Sequence, residues 1–169
     1  SELGAFFTRS DDANDSGRLK IESMQQQTPN DFSVLLGNLF ISLDHSGTDD
    51  FLSELLISVL GPANSESSDT SKGITIKTFE YDGLTAVVTG AETYSISSIE
   101  ITNENYTTFR GITVGMSVEN LSSNYDSISL DGYTDSNNCA YLFEENSHFI
   151  RFEVKEGLIT SIKYYSENE

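Results

Sequence analysis

One cysteine, two histidines, nine cations and no tryptophan are all that this 169-residue chain holds of those side chains. A single cysteine cannot close an internal disulfide, and one Cys with two His gives little material for a metal centre. The 9 Lys and Arg stand against 27 Asp and Glu, a formal charge of −18 with a pI near 4.2. A surface of that sign repels phosphate backbones, which speaks against a nucleic-acid partner. No apolar run approaches the roughly 20 residues of a membrane-spanning helix. The first residues lack a basic segment followed by an apolar one, so no signal peptide is read there and the chain is taken as a mature or trimmed product.

What is present is enough for a packed core. Hydrophobic residues make up 37 % of the chain, with 10 Phe and 8 Tyr. That is too apolar for a disordered acidic tail, and the length suits one domain or two small fused ones. Residues 1–30 are polar and read as an arm or linker, with an edge strand at 18–24 where Leu19 and Ile21 alternate with Lys20 and Glu22. The clearest helix runs from an N-cap at Thr48, with Asp49 and Asp50 in the first turn and Phe51, Leu52, Leu55, Leu56 and Val59 on one face. Gly61-Pro62 stops it. A Ser-rich loop at 63–73 leads to three strand-like runs, GITIKTFEY, LTAVVTG and TYSISSIEIT, the first two joined at Asp82-Gly83.

The pattern then recurs. RGITVGMSVENLSSNYD reads as a strand, an N-cap at Ser117 and a short helix to Asn124; after a loop at 126–138 come CAYLFEE, HFIRFEVK and LITSIKYY. ISLDHSGTDDFLSELL lies beside ITVGMSVENLSSNY, and SISSIEIT beside LITSIKYY, with Ile99 opposite Ile162 in the alignment. The expected architecture is α+β. Two tandem strand–helix–three-strand units, 31–107 and 108–169, share one antiparallel sheet with helices on one face and the other face open.

The run FRGITVGMS, the short helix after it and the Tyr/Phe-rich meander ending GLITSIKYY resemble the repeat unit of β-lactamase-inhibitor-protein-like (BLIP-like) proteins. Small lipoproteins of the SmpA/OmlA type are similar in unit. The resemblance covers residues 31–169 and implies a curved sheet whose concave face contacts a protein. It also implies an extracellular or cell-surface location, with a lipid anchor upstream of residue 1. The family inhibitors are stapled by disulfides, which Cys139 alone cannot form, and no segment matches their inhibitory loops, so lactamase inhibition is not carried over.

Alternation along the strands separates a core face from an open one. Ile150, Phe152 and Val154, then Leu158, Ile162 and Tyr164, then Leu142, Ile74 and Ile76, are expected to point inward. Phe79, Tyr81, Tyr141, Phe143, Phe149 and Tyr165 then fall on the open face, with Lys77, Arg151 and Lys163 among them. Aromatics mixed with Arg are typical of interface hot spots, so this face is the expected partner site. Aromatics favour strands whatever their role, however, and the basic residues are equally suited to pair with Glu100 and Glu153 across strands.

Other groupings are weaker. Asp12, Asn14, Ser16 and Gly17 follow the start of a calcium loop, but Ser23 stands where a bidentate Glu is required and Lys20 where another ligand would lie, so a polar turn is preferred. Asp44, His45, Asp49 and Asp50 are better explained by the helix start than by a metal. Cys139 and His148, on one expected hairpin, lack an orienting group or oxyanion donors for nucleophilic chemistry. The acceptor patterns at Asn105 and Asn120 are uninformative given the bacterial origin that the resemblance implies. No cofactor is expected. The composite expectation is a non-enzymatic extracellular module that binds a protein or peptide; the alternative is a carbohydrate or cell-wall binder using the same aromatics with the loop at 131–138.

Overall fold

The structure is a computed structural model that describes residues 28–131 and 135–167. The edge strand expected at 18–24 and the Asp12 turn lie outside these residues. The fold is α+β, built on a large antiparallel sheet. In chain order the elements are β1 (Ser33–Leu36), β2 (Leu39–Ser42), β3 (Ser46–Gly47), α1 (Asp49–Leu60), β4 (Ser65–Ser71), β5 (Ile74–Tyr81), β6 (Leu84–Gly90), β7 (Tyr94–Ile101), β8 (Thr107–Thr108), α2 (Glu119–Asn124), β9 (Ser129–Leu130), β10 (Cys139–Glu145), β11 (His148–Lys155) and β12 (Leu158–Ser166). The large sheet runs β4-β5-β6-β7-β12-β11-β10-β9, with β3 against β7; a smaller sheet runs β2-β1-β8.

Local chemistry explains most boundaries. Thr48 caps α1 by accepting from the Phe51 N–H at 3.1 Å, and Gly61, at φ 85°, closes it by donating to the Ile57 carbonyl. Leu52, Leu55, Leu56 and Val59 are its buried stripe. The β10–β11 and β11–β12 turns place Asn146-Ser147 and Glu156-Gly157 at positive φ, the backbone that two-residue hairpins demand. α2 starts at Glu119, but the Ser117 hydroxyl binds the Glu119 carboxylate instead of capping the helix; the Asn120 N–H bonds the Ser117 carbonyl.

Two expectations fail on backbone pairing. The Ser-rich 63–73 stretch contains a seven-residue strand, β4, paired in unbroken register with β5. All seven of its side chains are exposed, so no apolar alternation could announce it. The RGITVGM run expected to form a strand before α2 does not; β8 lies just ahead of it at Thr107–Thr108, and only Ile112 of the apolar ITV residues is buried.

The core lies between the helix-side face of the large sheet and a layer made of α1, α2 and the small sheet. Tyr164, fully buried, ties the two layers by donating its hydroxyl to the Ser33 carbonyl at 3.1 Å. At one end of the core Arg110 grips Asp31 with two nitrogens, at 2.8 and 3.0 Å, while its guanidinium lies over the rings of Tyr125 and Phe143. The planar fork suits both jobs, which an ammonium could not do.

The two halves of the large sheet, β5-β6-β7 and β12-β11-β10, meet at the β7–β12 pair. In the first half the Asp44 N–H donates to the Ile96 carbonyl and the Ile96 N–H to the His45 carbonyl, both at 2.9 Å. In the second the Gly115 N–H donates to the Ile159 carbonyl and the Ile159 N–H to the Met116 carbonyl, at 2.8 and 2.9 Å. Register slips occur between Val87 and Val88 in one half and between Glu153 and Val154 in the other.

Candidate functional site

Pairing registers decide which side chains share a face. Tyr81, Phe79 and Lys77 stand opposite Leu84, Ala86 and Val88 of β6, all three buried under the helix layer. Phe79 is therefore a core residue, Tyr81 packs on the core, and Lys77 reaches Asp49 in the first turn of α1. Ile74 and Ile76, expected inside, are 45 % and 44 % exposed on the opposite face. The same inversion holds on β10. Tyr141 and Phe143 stand opposite Phe152 and Ile150 and belong to the core side, whereas Leu142 stands opposite Arg151 and faces outward. The cause is simple: β5 and β10 carry apolar residues at both parities, so alternation alone is ambiguous, and the neighbouring strand sets the register. The helix layer then takes the larger rings. Leu158, also expected inside, is exposed because the slip at Glu153/Val154 shifts its parity and buries Ile159.

Four of the expected site residues do lie together on the open face. Phe149 and Tyr165 are direct cross-strand partners whose rings stack at 5.0 Å between centroids and 13° between planes. Arg151 and Lys163 form the next outward-facing pair. These like charges are balanced on both sides. Arg151 donates from Nε to Glu153 at 2.7 Å and from an Nη to Asp131, and Lys163 stands opposite Glu100 of β7. The bond to Glu153 is the main cause that raises the Arg151 pKa above its ordinary value; burial opposes it, and the bond to Asp131 reinforces it.

Beside the stack runs a shallow groove of about 390 Å³, lined by Val87, Ser97, Ser98, Arg151, Lys163, Tyr165 and Ser166. Ser97 is the extra residue at the β6–β7 slip; its hydroxyl is buried, 2.8 Å from Thr89 Oγ1, and bonds the Val87 carbonyl. The bulge thus opens the floor of the groove. Desolvation raises the Tyr165 pKa, so its hydroxyl stays a neutral donor. The arrangement offers an aromatic ledge, small hydroxyls and two cations. It suits a ligand with an apolar segment and an acceptor or carboxylate.

A second concavity, about 460 Å³, lies where β1 and the β2–β3 turn meet the β10–β11 turn, among Asp31, Phe32, Asp44, Glu145 and His148. His148 bonds the Asp44 carboxylate through Nε2 and the Asn146 carbonyl through Nδ1 at 2.8 Å. Two acceptors demand two N–H donors, so both bonds are made together only when the ring is protonated. Partial burial depresses its pKa, but the bonds to Asp44 and Asn146 outweigh that and raise it. Sequence reasoning missed this pair, whose members lie 104 residues apart and carry no shared motif.

The remaining groupings separate. His148 and Cys139 sit at opposite ends of the β10–β11 hairpin, about 20 Å apart at six residues of strand rise. Cys139 is buried, its thiol pKa is raised chiefly by desolvation, and its Sγ donates to the Ser136 carbonyl. Of Asp44, His45, Asp49 and Asp50, Asp44 turns to His148, His45 is buried on the Phe40 ring, and Asp49 takes Lys77. Among the described residues no three His, Cys, Asp or Glu side chains gather as a metal site, and no helix is long and apolar enough to cross a membrane.

No protein-family model matches the chain, and no curated protein matches it. A solved structure of a cysteine-rich secretory protein from Staphylococcus aureus subsp. aureus Mu50 is similar over 68 % of this chain and 43 % of its own, at 10 % identity and a TM-score of 0.39.

Proposed function

We propose that this protein is a non-enzymatic binding module whose open sheet face recognises a protein or peptide. The observation that carries the reading is the Phe149–Tyr165 stack beside Arg151 and Lys163, on the face opposite α1. The groove beside the stack, with Arg151 and Lys163 on its wall, matches a peptide side chain or carboxylate better than an uncharged sugar ring. Glycan binding is the second reading, favoured by the half-buried Ser98 hydroxyl along the groove.

Residues 31–107 and 108–169 are, in this reading, two copies of one BLIP-like unit. Aligning Ile99 with Ile162 makes Ser97 equivalent to Thr160, the extra residue at each register slip. Aligning Ile41 with Ile112 makes Asp44 equivalent to Gly115; both hold positive φ, 71° and 98°, and each donates its N–H to the equivalent isoleucine, Ile96 or Ile159. A two-fold axis relating the copies requires a central residue to pair with its own equivalent, and Glu100 opposite Lys163 meets that requirement. In this reading, which rests on the BLIP-like resemblance, the module works at the cell surface or outside the cell.

The test is affinity capture from the surface fraction of the source organism, with wild type and the Phe149→Ser/Tyr165→Ser/Lys163→Glu variant. One protein held by the wild type and lost by a variant that remains folded at the capture temperature, shown by a cooperative melt above it, supports the peptide reading. Capture that ignores the three substitutions overturns it, and binding confined to a glycan array moves the second reading ahead.

A further inference from the structure

The two ends of the large sheet are unlike. At one end β9 is two residues long, and a short edge offers little to an incoming strand. At the other, β4 runs for seven residues and, among the described residues, has a neighbour on one side only. Its sequence, SESSDTS, has no Pro, no Lys and no Arg, and its register with β5 contains no slip. Of the usual devices that blunt an edge only charge is present, and being acidic it repels acidic strands while leaving the edge open to a basic one. Every second residue of β4 turns its N–H and C=O away from β5, a template for one more antiparallel or parallel strand.

Two features describe what would fit. The first is shape. Ser71 and Asp69 stand opposite Ile74 and Ile76, whose side chains emerge past them on the open face. The small β4 side chains leave room for an apolar residue of an added strand to lie across Ser71 onto Ile74. The second is charge. β4 carries Glu66 and Asp69, neither with an ion-pair partner among the described residues. Three residues apart, they project on opposite faces of the strand. A second copy is a poor occupant: β4 against β4 would bring four carboxylates together on two chains of formal charge −18 each.

We propose that β4 is a docking edge for an extended segment of a partner protein carrying cations at positions i and i+3. In antiparallel register these cations face Asp69 and Glu66, and an apolar residue two positions before the first covers Ile74. Main-chain bonds supply affinity and the alternate side chains supply selectivity. The surface is distinct from the Phe149–Tyr165 groove and does not depend on it.

The test uses the whole chain and the peptide Ac-Ile-Thr-Lys-Thr-Val-Lys-Thr-NH2, read by residue-resolved amide hydrogen exchange and NMR titration. The expected result is slowed exchange at alternate residues of Ser65–Ser71. Affinity should fall about tenfold for the same peptide with both Lys replaced by Glu. In the Glu66→Lys/Asp69→Lys variant that preference should invert; all of β4 is exposed, so the variant keeps its fold. No slowing at millimolar peptide overturns the proposal, as does binding that ignores the reversal. Alternate β4 amides already protected without peptide also overturn it: the chain or a second copy then occupies the edge, and sedimentation distinguishes the two.

Discussion

Lys163 stands directly opposite Glu100 across the β7–β12 pair, the single junction between the two halves of the large sheet. It also neighbours Arg151 on the other side, so the row reads acid, base, base. Directly opposed like charges destabilise a sheet and opposite ones support it, each by about 0.2–1 kcal/mol. Glu100→Lys, which sets three cations in a row, should therefore cost about 0.5 kcal/mol in urea unfolding. Adding Lys163→Glu, which then faces a cation on each side, should recover most of that loss. A double-mutant cycle without coupling would mean that the pair contributes nothing at the junction.

Phe143 and Phe149 lie on adjacent strands but on opposite faces, and stability separates them. Phe143→Ala empties a buried position in contact with Tyr125 and Arg110 and should cost about 3–5 kcal/mol. Phe149→Ala loses one stacked pair at a half-exposed site and should cost about 1 kcal/mol. Equal losses in denaturant titrations would contradict the assignment of faces.

His45 is buried with the Ser42 N–H donating to Nδ1 at 3.0 Å, so its proton sits on Nε2, which has no partner among the described residues. Burial lowers its pKa below the ordinary value of 6.5. The unfolded chain takes up the second ring proton first, so stability falls as pH drops from 6.5 towards the lower folded value. His45→Met, the residue that Met116 supplies at the matching backbone position, should remove that part of the acid slope. Unfolding measured for both proteins from pH 8 to 5 shows it as a stability difference that changes with pH.

His148 behaves in the opposite sense. Its raised pKa means that the folded chain holds the proton more tightly. The Asp44 pair thus adds stability that is full below pH 6.5 and is lost as pH rises through the folded value. Asp44→Asn should lower the His148 pKa in an NMR titration and destabilise the protein at pH 5.5 but not at pH 8.5. An unmoved titration would show that the ring does not use Asp44.

Much of the local structure follows from nearest-neighbour chemistry. Thr48, Asp49 and Gly61 bracket α1 by capping, and Asp82-Gly83 and Glu156-Gly157 mark hairpins by backbone freedom. These devices act within four residues, so α1, β2, β5, β6, β7, α2, β10, β11 and β12 could be read in order, whereas β1, the two-residue β3, β8 and β9, and β4 with its exposed polar side chains left no pattern. The faces could be read only where one parity was apolar. β11 buries Ile150, Phe152 and Val154 and turns Phe149 and Arg151 outward, as alternation requires.

β5 and β10 offered apolar side chains both ways, and there the tertiary structure decided. The registers with β6 and β11 placed Phe79, Tyr81, Tyr141 and Phe143 under the helix layer, where large rings bury the most area, and left Ile74, Ile76 and Leu142 on the other face. Tertiary structure also made the contacts that no local pattern encodes: His148 to Asp44, Arg110 to Asp31, and Phe149 against Tyr165. The chain's own chemistry determined which elements form. Only packing, which compares alternatives across the whole sheet, determined which side of each strand a partner can reach.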